Sequence, residues 1–390
     1  MLKILFLSAE VTPIAKVGGL GDVAGALPKA IAGLGADIRL VLPYYGLIDS
    51  ARYQPKLLIE GLAIKINGKE EVVSVWTVSL PGSDVPVYLI KHRYFSGKEI
   101  YSSGAKMQAS VYETDLTDIE RFVFYSRASL ATAKALSFFP DIIHANDWHA
   151  ASAFDYLAEN ADFKNSKKIF TIHNLANQGT IGADIINFSG INPDFPAIKE
   201  DLRNGDINFM AQGIINADAI NAVSPTYAKE ILTAEYGAGL ENILIKRKKN
   251  LYGILNGIDV DFFNPETDVF IPHKYSAGDP DEKIKNKLAL QKKLGLPEDK
   301  NTPLVGFVSR FVWQKGIDLI TEKFSQLGCQ FVFLGTGEEK YEEHLKNLAK
   351  KYPQQFSAQI RFDEGLAHEI YAASDIFLVP SRFEPCGLTK

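Results

Sequence analysis

Short apolar runs recur along this chain at 3–8, 38–42, 85–90, 141–144, 168–172, 219–223 and 252–255, with stretches of helical spacing between them. Continuous aliphatic and β-branched runs suit strands buried on both faces, and their alternation with helices predicts a parallel, doubly wound α/β sheet. After the first run, Leu20, Val23, Ala24, Leu27, Ala30 and Ile31 fall on one helical face. The segment 57–80 departs from the alternation. It reads as antiparallel strands turning at "NGK" (67–69), a hairpin extension. From 264 to 302 the sequence becomes polar, charged and proline-broken, as between two cores. A second series of runs follows at 303–309, 329–335, 358–362 and 375–380. The pattern therefore predicts a first domain over 1–263, a linker over 264–302 and a second parallel α/β domain over 303–390. Open sheets of this kind bind ligands at their strand carboxyl ends, so two such domains are expected to face a cleft. Only four runs precede the end of the chain. The second domain is expected to be incomplete, through a natural or experimental C-terminal truncation, with one sheet face uncovered.

A length of 390 residues agrees with two domains. A net charge of −5 argues against broad nucleic-acid or anionic-membrane binding, so any anionic ligand must be held by a local basic cluster. Two cysteines, Cys329 and Cys386, form neither a disulfide framework nor a cysteine-rich metal site. That fits a reducing cytoplasm. The opening "MLKILFLSAE" is interrupted by Glu10 and lacks a cleavage pattern, and no run approaches a membrane span.

Candidate chemistry stands at the ends of the predicted strands. "AKVGGLGDV" sets Lys16 before Gly18 and Gly19, which is neither a P-loop, whose lysine follows the last glycine, nor the dinucleotide G-x-G-x-x-G. A strand, a glycine turn and a helix N-terminus still make a general anion site. The simpler reading is a plain turn with a solvated lysine. "HANDWH" (144–149) groups two histidines, an Asn, an Asp and a Trp. Its five-residue histidine spacing fits zinc poorly, while carboxylate and amide groups with an aromatic face suit a sugar. "TIHNLANQG" adds His173 and Asn174 after the next strand. In "VSRFVWQKG", Arg310 and Lys315 offer a fork and a point charge to adjacent phosphates, or are two surface cations. "LGTGEE" is a glycine turn that a base or ribose could approach, and "SRFEPCGL" carries Glu384 near the last strand.

Taken in order, "AKVGGLGDV", "HANDWH", "TIHNLANQG", "INAVSPTYAKEI", "LNGID", "PETD", "SRFVWQKG", "LGTG" and "PSRFEPCGL" resemble the blocks of bacterial glycogen and plant starch synthases across the whole chain. These glycosyltransferases lengthen α-1,4-glucan from a nucleotide-glucose. The resemblance implies two Rossmann-like domains of the GT-B type, a hexosyltransferase that retains configuration, and no cofactor or metal. ADP-glucose is the expected donor, with UDP-glucose left open, and glycogen or a malto-oligosaccharide the acceptor. It implies that Lys16, Gly18 and Gly19 face the donor, with Asp22 behind them. Arg310 and Lys315 would stabilise the departing diphosphate, His173 would contact the transferred glucose, and Glu384 would lie beside it. Asp147 and Trp148 would shape the acceptor side and Asn256 would meet donor sugar. Asn174, the turn of Gly335, Thr336 and Gly337, and Cys386, Gly387, Leu388 and Thr389 complete the implied substrate-binding set.

The family pattern continues "EPCGLTQ", whereas Lys390 stands here at the glutamine, and such a domain normally runs on for roughly ninety residues. Two alternatives follow from the same residues. One is an inactive glucan- or nucleotide-binding fragment, the other a related transferase with another acceptor.

Overall fold

The expected strands form, and a computed structural model describes residues 1–101, 117–158 and 160–388. The chain divides into two compact units, Met1–Ile258 and Asp259–Lys390. In the first unit the strands are β1 (Lys3–Leu7), β2 (Asp37–Pro43), β3 (Lys56–Ile66), β4 (Lys69–Ser79), β5 (Pro86–Lys91), β6 (Ile142–Asn146) and β7 (Lys167–Ile172). A short pair β8 (Thr180–Gly182) and β9 (Asp206–Asn208) stands apart, and β10 (Ala219–Ala222) and β11 (Leu251–Gly253) complete the main sheet. Its order is β11-β10-β7-β6-β1-β2-β5-β4-β3. The strands from β11 to β5 run parallel, and Leu5, Phe6 and Leu7 on β1 are fully buried, as strands covered on both faces require. The 57–80 segment is an antiparallel hairpin whose β4 also pairs with β5, so it widens the main sheet. Asn67 and Gly68 both have positive φ, the geometry a two-residue hairpin turn demands.

In the second unit β12 (Leu304–Val308), β13 (Gln330–Gly335), β14 (Phe356–Ile360) and β15 (Ile376–Phe377) pair in the order β14-β13-β12-β15, all parallel. Alternate residues on these strands enter two cores. Val305, Phe307, Phe331 and Phe333 pack with Tyr341, Leu345 and Leu348 of helix Glu339–Lys351. Leu304, Val332 and Leu334 pack with Leu290, Leu366 and Ile370 on the opposite face. The expected bare sheet face is therefore absent among the described residues. The physical reason lies within the stretch 264–302, which does more than link. It contains helix Glu282–Leu294, and that helix, with helix Glu364–Ala373, covers the sheet. Lys287, only 3% exposed, pairs with Asp375 at 2.7 Å and donates to the Lys300 carbonyl at 2.9 Å. No helix among the described residues is long and apolar enough to cross a membrane.

One buried carboxyl in the first unit yields a stability prediction. Asp155 accepts from Asn216 Nδ2 at 2.8 Å, while its Oδ2 is buried without a partner among the described residues. Burial, and the neighbouring Asp201, push its pKa up to about 8. A carboxyl whose folded pKa lies above its unfolded value favours folding fully below the unfolded pKa, and that contribution is lost as pH rises through 8. Asp155→Asn keeps the acceptor and removes the titration. Its melting temperature is expected to gain on the parent from pH 5 to about pH 8 and to hold that gain above it, read by thermal denaturation from pH 5 to 9.

Candidate active site

Each sheet reverses its strand order at one place of its own, and the candidate residues of that unit stand on the loops beside it. In the first unit the order runs away from β1 through β2 on one side and through β6 on the other, so the loops after β1 and β6 flank a switch point. The loop after β1 carries Lys16 and enters helix Gly19–Gly33 at Gly18, whose backbone is extended. Lys16 Nζ pairs with Asp22 Oδ1 at 2.6 Å, both half-buried, and Thr12 Oγ1 donates to the same oxygen at 3.4 Å. The two amides just before the helix are held from within the protein. Glu10 Oε2 accepts from Val17 N–H at 2.6 Å and from Gly18 N–H at 2.7 Å, which fixes the chain as it enters the helix. The glycines differ in their reasons. A Cβ on Gly25 would strike the Thr12 carbonyl, whereas one on Gly18 would meet nothing within 4 Å, leaving that backbone approachable. Gly19, the first helical residue, is exposed.

The loops after β6 and β7 interlock. Asp147 adopts φ +53, a strained backbone for a non-glycine residue, and its Oδ1 accepts from His173 N–H at 2.7 Å. Asn174 N–H also bonds this carboxylate, yet burial outweighs both bonds and lifts the Asp147 pKa to about 7. Asn146 donates to the Leu7 carbonyl at 3.0 Å through Nδ2, so its Oδ1 faces His173 Nε2, also at 3.0 Å. The acceptor there fixes Nε2–H on a neutral ring, leaving Nδ1 as an acceptor. Burial, with His144 nearby, pushes the His173 pKa down to about 3. His144 and His149 are likewise lowered, to about 4 and about 3, by burial. His144 bonds Thr171 Oγ1 at 2.7 Å. Both rings are interior groups.

Trp148 departs from the expectation of a sugar-stacking face. It is 6% exposed, its ring lies 4.0 Å from His149 and 5.5 Å from Phe122, and a Cβ on Gly179 would collide with the indole. Its aromatic face serves internal packing. Asn256, half-buried, follows β11, its N–H on the Val223 carbonyl at 3.4 Å.

In the second unit the switch point lies between β12 and β15. Arg310, after β12, is exposed. Lys315 Nζ meets Glu384 Oε1 at 2.6 Å, with side chains 17% and 11% exposed, and Ser381 Oγ donates to the same oxygen at 2.6 Å. These two loops are locked by groups the sequence reading passed over. Arg382 forks onto Asp318 at 2.6 and 2.7 Å, donates to the Trp313 carbonyl at 2.8 Å and stacks over the Trp313 ring at 4.4 Å. The 335–337 turn is less open than expected. A Cβ on Gly335 would enter the Ser309 carbonyl and one on Gly337 the Phe311 carbonyl, so these glycines serve close backbone packing. Thr336 between them is exposed, and its carbonyl accepts from Phe311 N–H at 2.8 Å. Cys386, Gly387 and Leu388 are half-buried, and Thr389 lies outside the described residues.

Comparison with known proteins agrees with this layout. Residues 3–246 match the family model for the starch synthase catalytic domain, and residues 287–389 match that for group 1 glycosyl transferases. The glycogen synthase of Thermotoga petrophila is 41% identical over 400 residues, spanning 99% of this chain and 80% of that protein. That of Streptococcus agalactiae is 40% identical over 397 residues, with 100% and 81% covered. Among solved structures, the catalytic domain of starch synthase IV from Arabidopsis thaliana, bound to ADP and acarbose, superposes with a TM-score of 0.90 at 34% identity, covering all of this chain and 80% of that one. A sucrose-phosphate synthase from Thermosynechococcus elongatus, at 16% identity and a TM-score of 0.58, shares the fold.

Proposed function

Since the chain belongs to the glycogen and starch synthase family of glycosyltransferases, we propose that its donor is ADP-glucose and its acceptor a glycogen-type glucan. It is a hexosyltransferase that adds glucose, with retained configuration, to the non-reducing end of an α-1,4-glucan. The observation that carries the donor proposal is the whole-chain likeness to a starch synthase that holds ADP.

In the proposed mechanism the bond between glucosyl C1 and the distal phosphate oxygen breaks while the acceptor 4-hydroxyl attacks C1 from the same face. The hydroxyl proton passes to the leaving phosphate. Negative charge grows on the diphosphate, and cations fixed beforehand stabilise that charge without reorganising. Arg310 and Lys315 take this role on the second unit, with Glu384 holding Lys315 in place and facing the glucose. On the first unit Lys16, aligned by Asp22, the open Gly18 backbone and the exposed Gly19 meet the donor. His173 presents Nδ1 to a glucose hydroxyl, because Asn146 fixes the opposite nitrogen as a donor. Asp147 and Asn174 shape the loop that carries it, and Asn256 meets donor sugar. Trp148 acts by supporting this loop through Gly179. Thr336, with Gly335 and Gly337 behind it, and the loop of Cys386, Gly387 and Leu388 complete the donor contacts, to which the family resemblance adds Thr389.

ADP-glucose and UDP-glucose offered separately with glycogen test the donor. ADP-glucose is expected to give at least about a tenfold higher kcat/KM, the size of one lost specific hydrogen bond to a base. A preference for UDP-glucose would overturn the donor assignment and leave family membership untouched.

A further inference from the structure

The loop that carries Lys16 is held by a residue to which nothing above gives a part in the reaction. Glu10 is 4% exposed, three residues beyond the end of β1. A buried carboxylate has to be bonded on its oxygens to be tolerated, and this one is. Its Oε2 takes the two N–H groups of Val17 and Gly18, immediately after Lys16, while its Oε1 takes the Tyr101 hydroxyl at 2.7 Å. Tyr101 in turn lies with its ring centroid 5.1 Å from that of His149, in the "HANDWH" segment. One side chain therefore ties the lysine loop to Tyr101, 91 residues beyond Glu10, and through it to the loop that carries Asp147. Space around it is tight. A Cβ on Gly21 would sit 3.2 Å from Glu10 Oε2, from Lys16 Cγ and from Thr12 Oγ1 together, so the carboxylate, the lysine stem and the helix start are packed as one piece.

We propose that Glu10 is a positioning residue for glucosyl transfer: by holding the Val17 and Gly18 amides it fixes the backbone from which Lys16 meets the donor. This rests on the role assigned above to Lys16. Charge-assisted bonds to a carboxylate are stronger than neutral ones, and two on one oxygen leave the 16–18 backbone little freedom. Without them the ammonium of Lys16 would sample positions away from the one it needs, and a misplacement of about 1 Å is enough to cost a large factor in rate.

A double-mutant cycle on the full chain separates this from a merely structural role. Parent, Glu10→Ala, Lys16→Ala and the double variant are compared by kcat/KM for ADP-glucose with glycogen and by calorimetric affinity for ADP-glucose. Glu10→Ala is expected to lose at least about tenfold in the parent background and to cost almost nothing further once Lys16 is alanine. Glu10→Gln, whose single amide oxygen still accepts both N–H groups, should recover most of that loss. Tyr101→Phe, which removes only the third bond, should give an intermediate loss and carries the comparison if Glu10→Ala fails to fold. An equal loss in both backgrounds, or none in either, overturns the proposal while leaving the Lys16 assignment standing. A Lys16→Ala protein as good as the parent removes that assignment and this proposal together.

Discussion

Lys315→Ala is expected to lower kcat by about two to three orders of magnitude, the usual loss when one fixed stabiliser of developing charge is removed. The ammonium is a point charge at the loop after β12, already oriented by Glu384 at 2.6 Å. Because charge on the diphosphate grows toward the transition state, the loss should fall on kcat more than on donor KM. Removing Lys315 also strands the Glu384 carboxylate, which among the described residues then keeps the Ser381 hydroxyl. Part of the cost is that unpaired charge. Pairing Lys315→Ala with Glu384→Gln separates the two. If the stranded carboxylate dominates, the double variant regains rate. If the cation itself carries the effect, as expected here, it does not. Steady-state kinetics of the three proteins decides.

Asp147→Ala is expected to be the second largest loss, about a hundredfold in kcat/KM, with a lower melting temperature. The carboxylate takes the His173 and Asn174 amides, and its truncation leaves two donors inside the protein unsatisfied, each worth roughly 1–3 kcal/mol. It also frees the loop that sets His173. Asp147→Asn keeps an acceptor oxygen and should lose far less, which distinguishes the amide contacts from the charge. The pH dependence has a definite sign. The Asp147 pKa is raised to about 7, so its contribution to stability is complete below the ordinary aspartate range and lost as pH rises through 7. In Asp147→Asn that loss should vanish, and a melting-temperature series from pH 5 to 9 checks it.

The strands of both sheets were readable because parallel strands covered on both faces need unbroken apolar runs, and "ILFLSA" and "CQFVFLG" suit that use. The hairpin was readable from its Asn-Gly turn, which both positive φ values explain. Helix Glu282–Leu294 escaped notice for a specific reason. Its buried positions are Asn286, Lys287, Leu290 and Gln291, three of them polar. Asn286 exchanges bonds with the His273 backbone, Gln291 bonds Gln330 and Asp299, and Lys287 pairs with Asp375. Hydropathy cannot mark a face whose burial is made affordable by hydrogen bonds. Glu10 was hidden in a similar way. Its partners lie at 17, 18 and 101, and only the folded loop brings them to one carboxylate. Trp148 shows the opposite error. An aromatic beside carboxylate and amide groups suggests a sugar platform, but the positive-φ Gly179 leaves room for the indole to turn inward. Arg310, Lys315 and Glu384 were legible as types, whereas the clamp of Arg382 on Asp318 and Trp313 that sets the loop around them was not.

The most direct measurement is the growth of a glucan chain. Purified protein is given labelled ADP-glucose with a defined malto-oligosaccharide, and product length is followed beside ADP release, with Lys315→Ala as the control. The account predicts products longer by successive glucose units, one ADP for each unit added, and extension slowed by about two to three orders of magnitude in the control. Release of ADP without extension, or extension that Lys315→Ala leaves intact, would contradict it.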